Sequence, residues 1–257
     1  MVKIVPWENG TGSITLTYAG QGDGPILIQS DPNNLNVSRS KILQVTAGSL
    51  HVEITINQQA NQGPQPTDYV DLGLPSGKLW AKGNIVKNAQ GVYSMGEPTD
   101  YGCYFSWGNI DGYNIGDSYT FNQSSYDITP GAQLTADIAS NDALHDAAFA
   151  HLGGSWHIPT RTEAQELLDY TDYERATING INGIKFMKKT DHSVFIFIPS
   201  AGFDLVAGSI NLYGDYWTSS YQSSLYVYKF DWNPNDIYAP RWSNKYNGYS
   251  IRAVRNP

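Results

Sequence analysis

Two framework-like segments, GDYWTSS at 214–220 and GYSIRAVR at 248–255, bracket a stretch of very different composition. Any fold for this chain must hold both brackets while presenting what lies between them. The second bracket alternates apolar and polar residues, as a half-buried strand does. The first packs aromatic residues against small hydroxyl residues. Between them, Tyr221 to Asn247 contains neither glycine nor glutamate, and its aromatic density far exceeds the chain average of 13%. Tyr and Trp supply large amphipathic area at low entropic cost, and Ser and Asn supply adaptable hydrogen bonds, which is the composition of a paratope. The same composition also suits an aromatic-rich sheet edge with an irregular loop.

At 257 residues the chain can hold one large or two smaller domains, each with a real core. Charged residues are only 16%, while 25 glycines and 18 tyrosines point to a β- and loop-rich chain. A formal charge of -8 leaves no basic footprint for nucleic acid. The single cysteine, Cys103, excludes an internal disulfide framework and a cysteine-based zinc cluster. No run reaches the length of a membrane helix. The start, MVKIVPWENG, lacks an apolar signal core. The expectation is a protein made without a leader, as a virion component would be, or one whose leader has been removed.

Residues 1–57 read as a small all-β module. Ile14 to Tyr18 alternates, Gly20 to Gly24 is a turn cluster rather than a dinucleotide fingerprint, and Ile42 to Thr46 with Leu50 to Ile56 predict a hairpin. Residues 58–68, polar and proline-bearing, read as a linker, and residues 69–257 as the main domain. There, 69–81 predicts two short strands about a Pro-Ser-Gly turn, and YGCYFSWG at 101–108 an aromatic strand holding an inert buried thiol. Residues 109–135 read as a long surface insertion. Asn141 predicts a cap for a helix over 142–152, with Leu144, Ala148 and Leu152 inward. Thr160 and Glu163 predict a capping box for a helix ending near Tyr170, with Ala164, Leu167 and Leu168 inward. Val194 to Ile198 predicts a buried strand.

Six segments then stand in order: VDLGLPSGKLWA (70–81), YGCYFSWG (101–108), LGGSWHIPTRTEAQELL (152–168), FIPSAGF (197–203), GDYWTSS and GYSIRAVR. Together they resemble the major paralogous domain proteins of Bacteroidetes and Fibrobacter. These are similar to members of the C-type-lectin-like, formylglycine-generating-enzyme-type fold class. The resemblance implies an α+β domain with a small twisted sheet, two helices and long loops. The strand LHVEITINQQ resembles the closing strand of small Ig-like, BACON-like sandwich modules, which implies an all-β Ig-like sandwich in front. The lectin-like class also includes the variable proteins of diversity-generating retroelements, in which adenine mutagenesis of C-terminal codons varies a binding surface on a fixed framework. The run Asn233 to Arg241 contains only residues that such mutagenesis can reach. Trp232, Trp242, Lys229, Lys245 and Gln222 are unreachable and read as framework or untargeted positions.

Catalytic and metal signals are weak. His145 and His151 lack zinc-protease spacing, and His157 in SWHIP suits packing or hydrogen bonding. The resemblance carries no formylglycine-generating activity, because the reactive C-terminal cysteines of that enzyme class are missing here. No G-x-S-x-G motif is present. Asp169/Asp172 and Asp215/Asp231 cannot be placed in one cleft from sequence. Glu97-Pro98-Thr99-Asp100 and Trp232 to Asp236 resemble the calcium and sugar motifs of true C-type lectins but depart from them at Thr99 and at the inserted Pro234-Asn235. Asp111 to Asp117 lacks EF-hand spacing. The expectation is a non-enzymatic binding protein of the virion or cell surface, without cofactor or metal. It would contact a protein or glycan receptor, neither binding nucleic acid nor inserting into a membrane. Its face is expected to comprise Tyr221, Ser223, Ser224, Asp231, Asn233, Asn235, Asp236, Tyr238, Arg241, Ser243, Asn244, Tyr246 and Asn247. A non-diversified carbohydrate-binding or structural surface protein, or an enzyme, are the other readings. Trp80, Trp107, Trp156, Trp217 and Phe230 are expected to be buried framework.

Overall fold

A computed structural model describes residues 2–4, 14–17, 27–30, 39–47, 50–58 and 68–257. The chain divides into two compact units, Met1–Gly63 and Pro64–Pro257. In the first, β1 (Val2–Ile4), β4 (Arg39–Ala47) and β5 (Leu50–Gln58) form one antiparallel sheet, and β2 (Ile14–Thr17) pairs with β3 (Leu27–Ser30). The β4–β5 pairing is the expected hairpin, with Ala47 opposite Leu50. The turn cluster at 20–24 and most of the 58–68 segment lie outside the described residues.

The second unit opens with β6 (Tyr69–Val70) and β7 (Leu79–Ala81), followed by the hairpin β8 (Ile85–Lys87) and β9 (Tyr93–Met95). Gly77 donates its N–H to Leu74 across the Pro-Ser-Gly turn. The chain end returns here. In the sheet, β17 (Val254–Arg255) lies between β7 and β10 (Trp156–His157). The 101–108 segment is not a strand; it makes isolated bridges, Tyr104 to Tyr113 and Phe105 to Tyr249. The insertion at 109–135 holds only the four-residue helix α1 (Gln123–Tyr126) and a 3₁₀ turn, and it buries Phe121 and Tyr126 rather than lying wholly on the surface.

The expected α+β architecture is overturned. The described residues are 39% strand and 14% helix, with three helices among several small antiparallel sheets and no closed barrel. One cause is the first expected helix. It begins five residues late, as α2 (Ala147–Leu152), because Asp146 and not Asn141 caps it through Ala148 and Phe149 N–H. Leu144 is left outside and exposed. The other cause is a meander of long strands, β11 (Thr171–Ile178), β12 (Ile181–Lys188) and β13 (Asp191–Pro199), of which only the last was expected. Its first turn is Asn179-Gly180, both at positive φ (51° and 79°), the backbone a two-residue hairpin of this hand requires. The Thr160/Glu163 capping box is present and starts α3 (Arg161–Tyr170), with Ala164 and Leu167 buried.

The sheet of β14 (Gly214–Tyr221), β15 (Tyr226–Trp232) and β16 (Ile237–Asn244) joins two cores. Side chains alternate along a strand. Tyr216, Phe230 and Trp232 therefore enter a core with Leu72, Trp80, Leu167 and Ile198, while Trp217 and Val227 enter another with Phe105, Trp107, Trp156 and Ile251. The five expected framework rings are all buried, at 3% exposure or less.

GYSIRAVR is buried on both sides rather than half-buried. Tyr249, Ile251 and Ala253 face one core, and Ser250, Arg252 and Val254 are buried opposite. Arg252 is 1% exposed and has no carboxylate partner among the described residues. Its Nε donates to Asn84 Oδ1 (2.8 Å), Nη1 to Ala81 O (3.1 Å) and Nη2 to Phe197 O (3.0 Å). Burial lowers its pKa to about 10, so it stays ionised at neutral pH. Replacing Arg252 by Ala or Met should destabilise the protein by about 3–5 kcal/mol, because three buried acceptors lose their donor. Urea denaturation reads this directly. An R252M midpoint equal to wild type would show that the guanidinium holds nothing together.

Candidate functional site: a charged cleft on the β14–β16 sheet

Asp215 and Asp231 are cross-strand partners on one face, as are Lys229 and Arg241. Like charges directly opposite repel, so two buried carboxylates in register need cations between them. Lys229 Nζ meets Asp215 Oδ1 at short range and lies 3.3 Å from Asp231 Oδ2. Arg241 grips Asp231 bidentately, Nε to Oδ1 at 2.9 Å and Nη2 to Oδ2 at 2.5 Å. The four formal charges alternate and cancel. Both aspartates are buried, and Arg241 is half outside.

A bulge sets the outer edge. The β15–β16 register shifts between Lys229 and Asp231, opposite Ala239 and Pro240. Pro240 has no N–H to give a ladder, so a bulge accommodates it. Through this shift Tyr238 and Arg241, three apart, share one face, and the guanidinium lies 3.9 Å over the Tyr238 ring. The Tyr238 hydroxyl is held by Asn233 Nδ2 (2.7 Å). The Asn233 carboxamide also accepts the N–H groups of Asn235 and Asp236, fixing the turn. On the other flank Ser243, Tyr249 and Asn247 form a hydrogen-bonded cluster, and Lys229 Nζ sits 5.0 Å from the Tyr249 ring centre. Asp215, Lys229, Asp231, Asn233, Arg241, Asn247 and Tyr249 line an open cleft of about 250 Å³ with Phe203, Asp204 and Tyr213, and Tyr238 and Ser243 stand behind them as hydrogen-bonding or stacking partners.

The structure therefore gathers Asp231, Asn233, Tyr238, Arg241, Ser243 and Asn247 around one cleft. It sends other expected residues elsewhere. Asp231 and Ser243 are buried rather than displayed. Tyr221 turns inward toward Trp107 (ring centres 6.4 Å), with its N–H on Asp137. Ser223 and Ser224 belong to the β14–β15 turn, with Asn244 at the same end of the sheet, since it pairs with Tyr226. Tyr246, two residues beyond Asn244, is half-buried. Asn235 and Asp236 are exposed at the opposite end, six residues along β15, roughly 20 Å away. Among the residues read as framework or untargeted, Trp232 and Lys245 are buried, and Trp242 is 60% exposed.

The remaining chemistry is structural. The Cys103 thiol is buried, and burial pushes its pKa up to about 12. His157 bridges Ser155 O (3.0 Å) and Glu163 (3.3 Å). His151 stacks on Tyr93. Asp169 and Asp172 are exposed with separate partners, Gln165 and His192. Among the described residues no cluster of three or more His, Cys, Asp or Glu is placed to hold a metal, and no helix is long and apolar enough to cross a membrane. Compared with family models, curated proteins and solved structures, the chain finds no match in any of the three.

Burial raises the Asp215 pKa from 3.8 to about 6, against the opposing pull of Lys229 and with the help of Asp231. The folded state thus holds this proton more tightly than the unfolded chain. The linked stability is present below about pH 4 and is lost as pH rises to about 6. Carbon-13 titration of the Asp215 carboxyl should give a midpoint near 6. The stability of Asp215→Asn relative to wild type should climb across that window. A flat difference would remove Asp215 as the titrating group.

Proposed function

We propose that the second unit is a ligand-binding domain of a virion or cell-surface protein. Its β15–β16 surface contacts a protein or glycan receptor, and the Asn233–Arg241 run is the part varied by a retroelement. One observation carries the reading. The sheet beneath the run is fixed by aromatic side chains sunk into two cores, while Asn235, Asp236, Ala239 and Arg241 stand in solvent above it. A rigid scaffold under outward polar residues is how binding residues are usually held, and a pre-formed surface reduces the ordering cost of binding. The reachability of every residue in the run by adenine mutagenesis supports the diversification part. Asp215 and Asp231 are each engaged by a cation, which supports binding over acid–base catalysis at these two carboxylates.

Tyr238 would serve as the aromatic anchor, since Tyr246 is half-buried at the other end of the sheet. Arg241 has a double role, because it also neutralises buried Asp231. Labelled full-length protein applied to a panel of intact bacterial cells provides the test. Asn235→Ala, Asp236→Ala and Tyr238→Ala should each weaken binding by about 1 kcal/mol with the melting temperature unchanged. Arg241→Ala should weaken binding and also lower stability by about 1–3 kcal/mol, since Asp231 is left with Lys229 alone. Unchanged cell binding by the triple variant would defeat the proposal. The encoding locus tests diversification separately: a near-repeat of the codons for 214–255 beside a reverse-transcriptase gene is expected.

A further inference from the structure

The other face of the same sheet ends differently. Along β15, Tyr226, Tyr228, Phe230 and Trp232 share one face. Phe230 and Trp232 are covered in the core with α3, and Tyr226 and Tyr228 are only partly covered. Trp242, opposite Tyr228, is 60% exposed, whereas Trp80, Trp107, Trp156, Trp217 and Trp232 are at 2% or less. The fold thus buries every other tryptophan among the described residues and leaves this indole outside. The ring is braced: Tyr226 meets it edge to face, with centres 4.7 Å apart and planes at 60°. Arg161, the first residue of α3, lays its guanidinium 4.2 Å over the Tyr228 ring. That guanidinium has no carboxylate partner among the described residues.

We propose that Trp242, with Tyr226, Tyr228, Arg161 and Asn244, is a carbohydrate-stacking platform. A pyranose ring presents C–H groups on one face and hydroxyls around its rim. A braced, exposed indole matches the first, and the guanidinium and carboxamide beside it match the second. The area decides against a protein partner at this spot. Sixty percent of a tryptophan surface is on the order of 150 Å², far below the roughly 800 Å² per partner of a stable protein interface. Exposed apolar surface rimmed by polar groups marks a contact site, and here its size fits one or two sugar residues. This platform lies on the opposite face from Tyr238 and goes beyond the receptor-contact reading.

The test uses the full chain on an immobilised glycan array, with soluble cellotriose, maltotriose and triacetylchitotriose as titrants. At least one array glycan or trisaccharide should bind and shift the tryptophan emission. Trp242→Ala should weaken that binding at least about tenfold and abolish the emission shift, with the melting temperature unchanged. Trp242→Phe should retain part of the affinity, and Leu144→Ala, at an exposed residue outside this sheet, should leave it intact. Glycan binding lost in W242A reports on this platform, and cell binding weakened in Asn235→Ala but kept in W242A reports on the other face, so the two readings fail separately. The proposal is overturned if no glycan binds wild type, or if W242A binds as well as wild type. It is also overturned if sedimentation shows wild-type self-association that W242A abolishes.

Discussion

An ionised guanidinium buried without a carboxylate is tolerable only if its donors find acceptors. Arg252 meets that condition with three acceptors on two distant stretches of chain, Ala81 and Asn84 on one and Phe197 on the other. The constraint spreads outward from there. Asn84 is oriented by Arg252 and in turn donates to Tyr101 O and to the Tyr216 hydroxyl, which donates to Pro199 O. The end of β7, the end of β13, the middle of β14 and the last residues of the unit are thus tied to one group. Ala81 is the last residue of β7, and Phe197 lies on β13, the edge strand of its sheet.

With the junction fixed, the β14–β16 sheet inherits its division of labour. Period-two alternation sends successive aromatic residues of β14 to opposite cores, Tyr216 to one and Trp217 to the other. Few positions are left to face water, and they lie at the sheet margins, on the outer strand β16 and at the turns. The Asp215–Lys229–Asp231–Arg241 set occupies the one stretch where the face opens. Its compensation of charge is what lets two carboxylates sit in register inside a protein. The site is therefore rigid beneath and polar above.

Much of this was legible in the sequence where a local rule acts alone. The Thr160/Glu163 box starts α3 because both of its hydrogen bonds are local. The framework tryptophans are buried as their small, apolar contexts suggest. Where a long-range partner decides, sequence reading failed. Asp146 displaced Asn141 as the α2 cap because its carboxylate also accepts the Ile158 N–H, a bond twelve residues away that turn residues alone do not announce. The β11–β12 hairpin was readable and missed: Asn179-Gly180 sits between TDYERATI and INGIKFMK, a strong short-range turn signal. Trp242, read as framework or untargeted, is not framework, because codon reach describes how a residue can arise, not where its side chain points. Asp231 and Ser243 were expected outside because polar type was taken for exposure, while register puts both in the interior.

The geometry also narrows what diversification could vary in the run from Asn233 to Arg241. Reachable codons cover all nine positions, but the positions are not equivalent. Asn233 closes its turn through two backbone N–H groups and orients Tyr238. Pro240 is buried at the bulge that turns Arg241 onto the cleft face. Arg241 is coupled to Asp231, so a change at 241 alone leaves a buried carboxylate short of a cation. Asn235, Asp236 and Ala239 are exposed, and none supplies a side-chain hydrogen bond that fixes the fold, the longer Asp236 contact to Tyr238 at 3.3 Å aside. Variation that preserves folding therefore concentrates on the β15–β16 turn and on Ala239, with Tyr238 and Arg241 changing only alongside their partners. A surface built this way would vary at its tip while its charged floor stays constant.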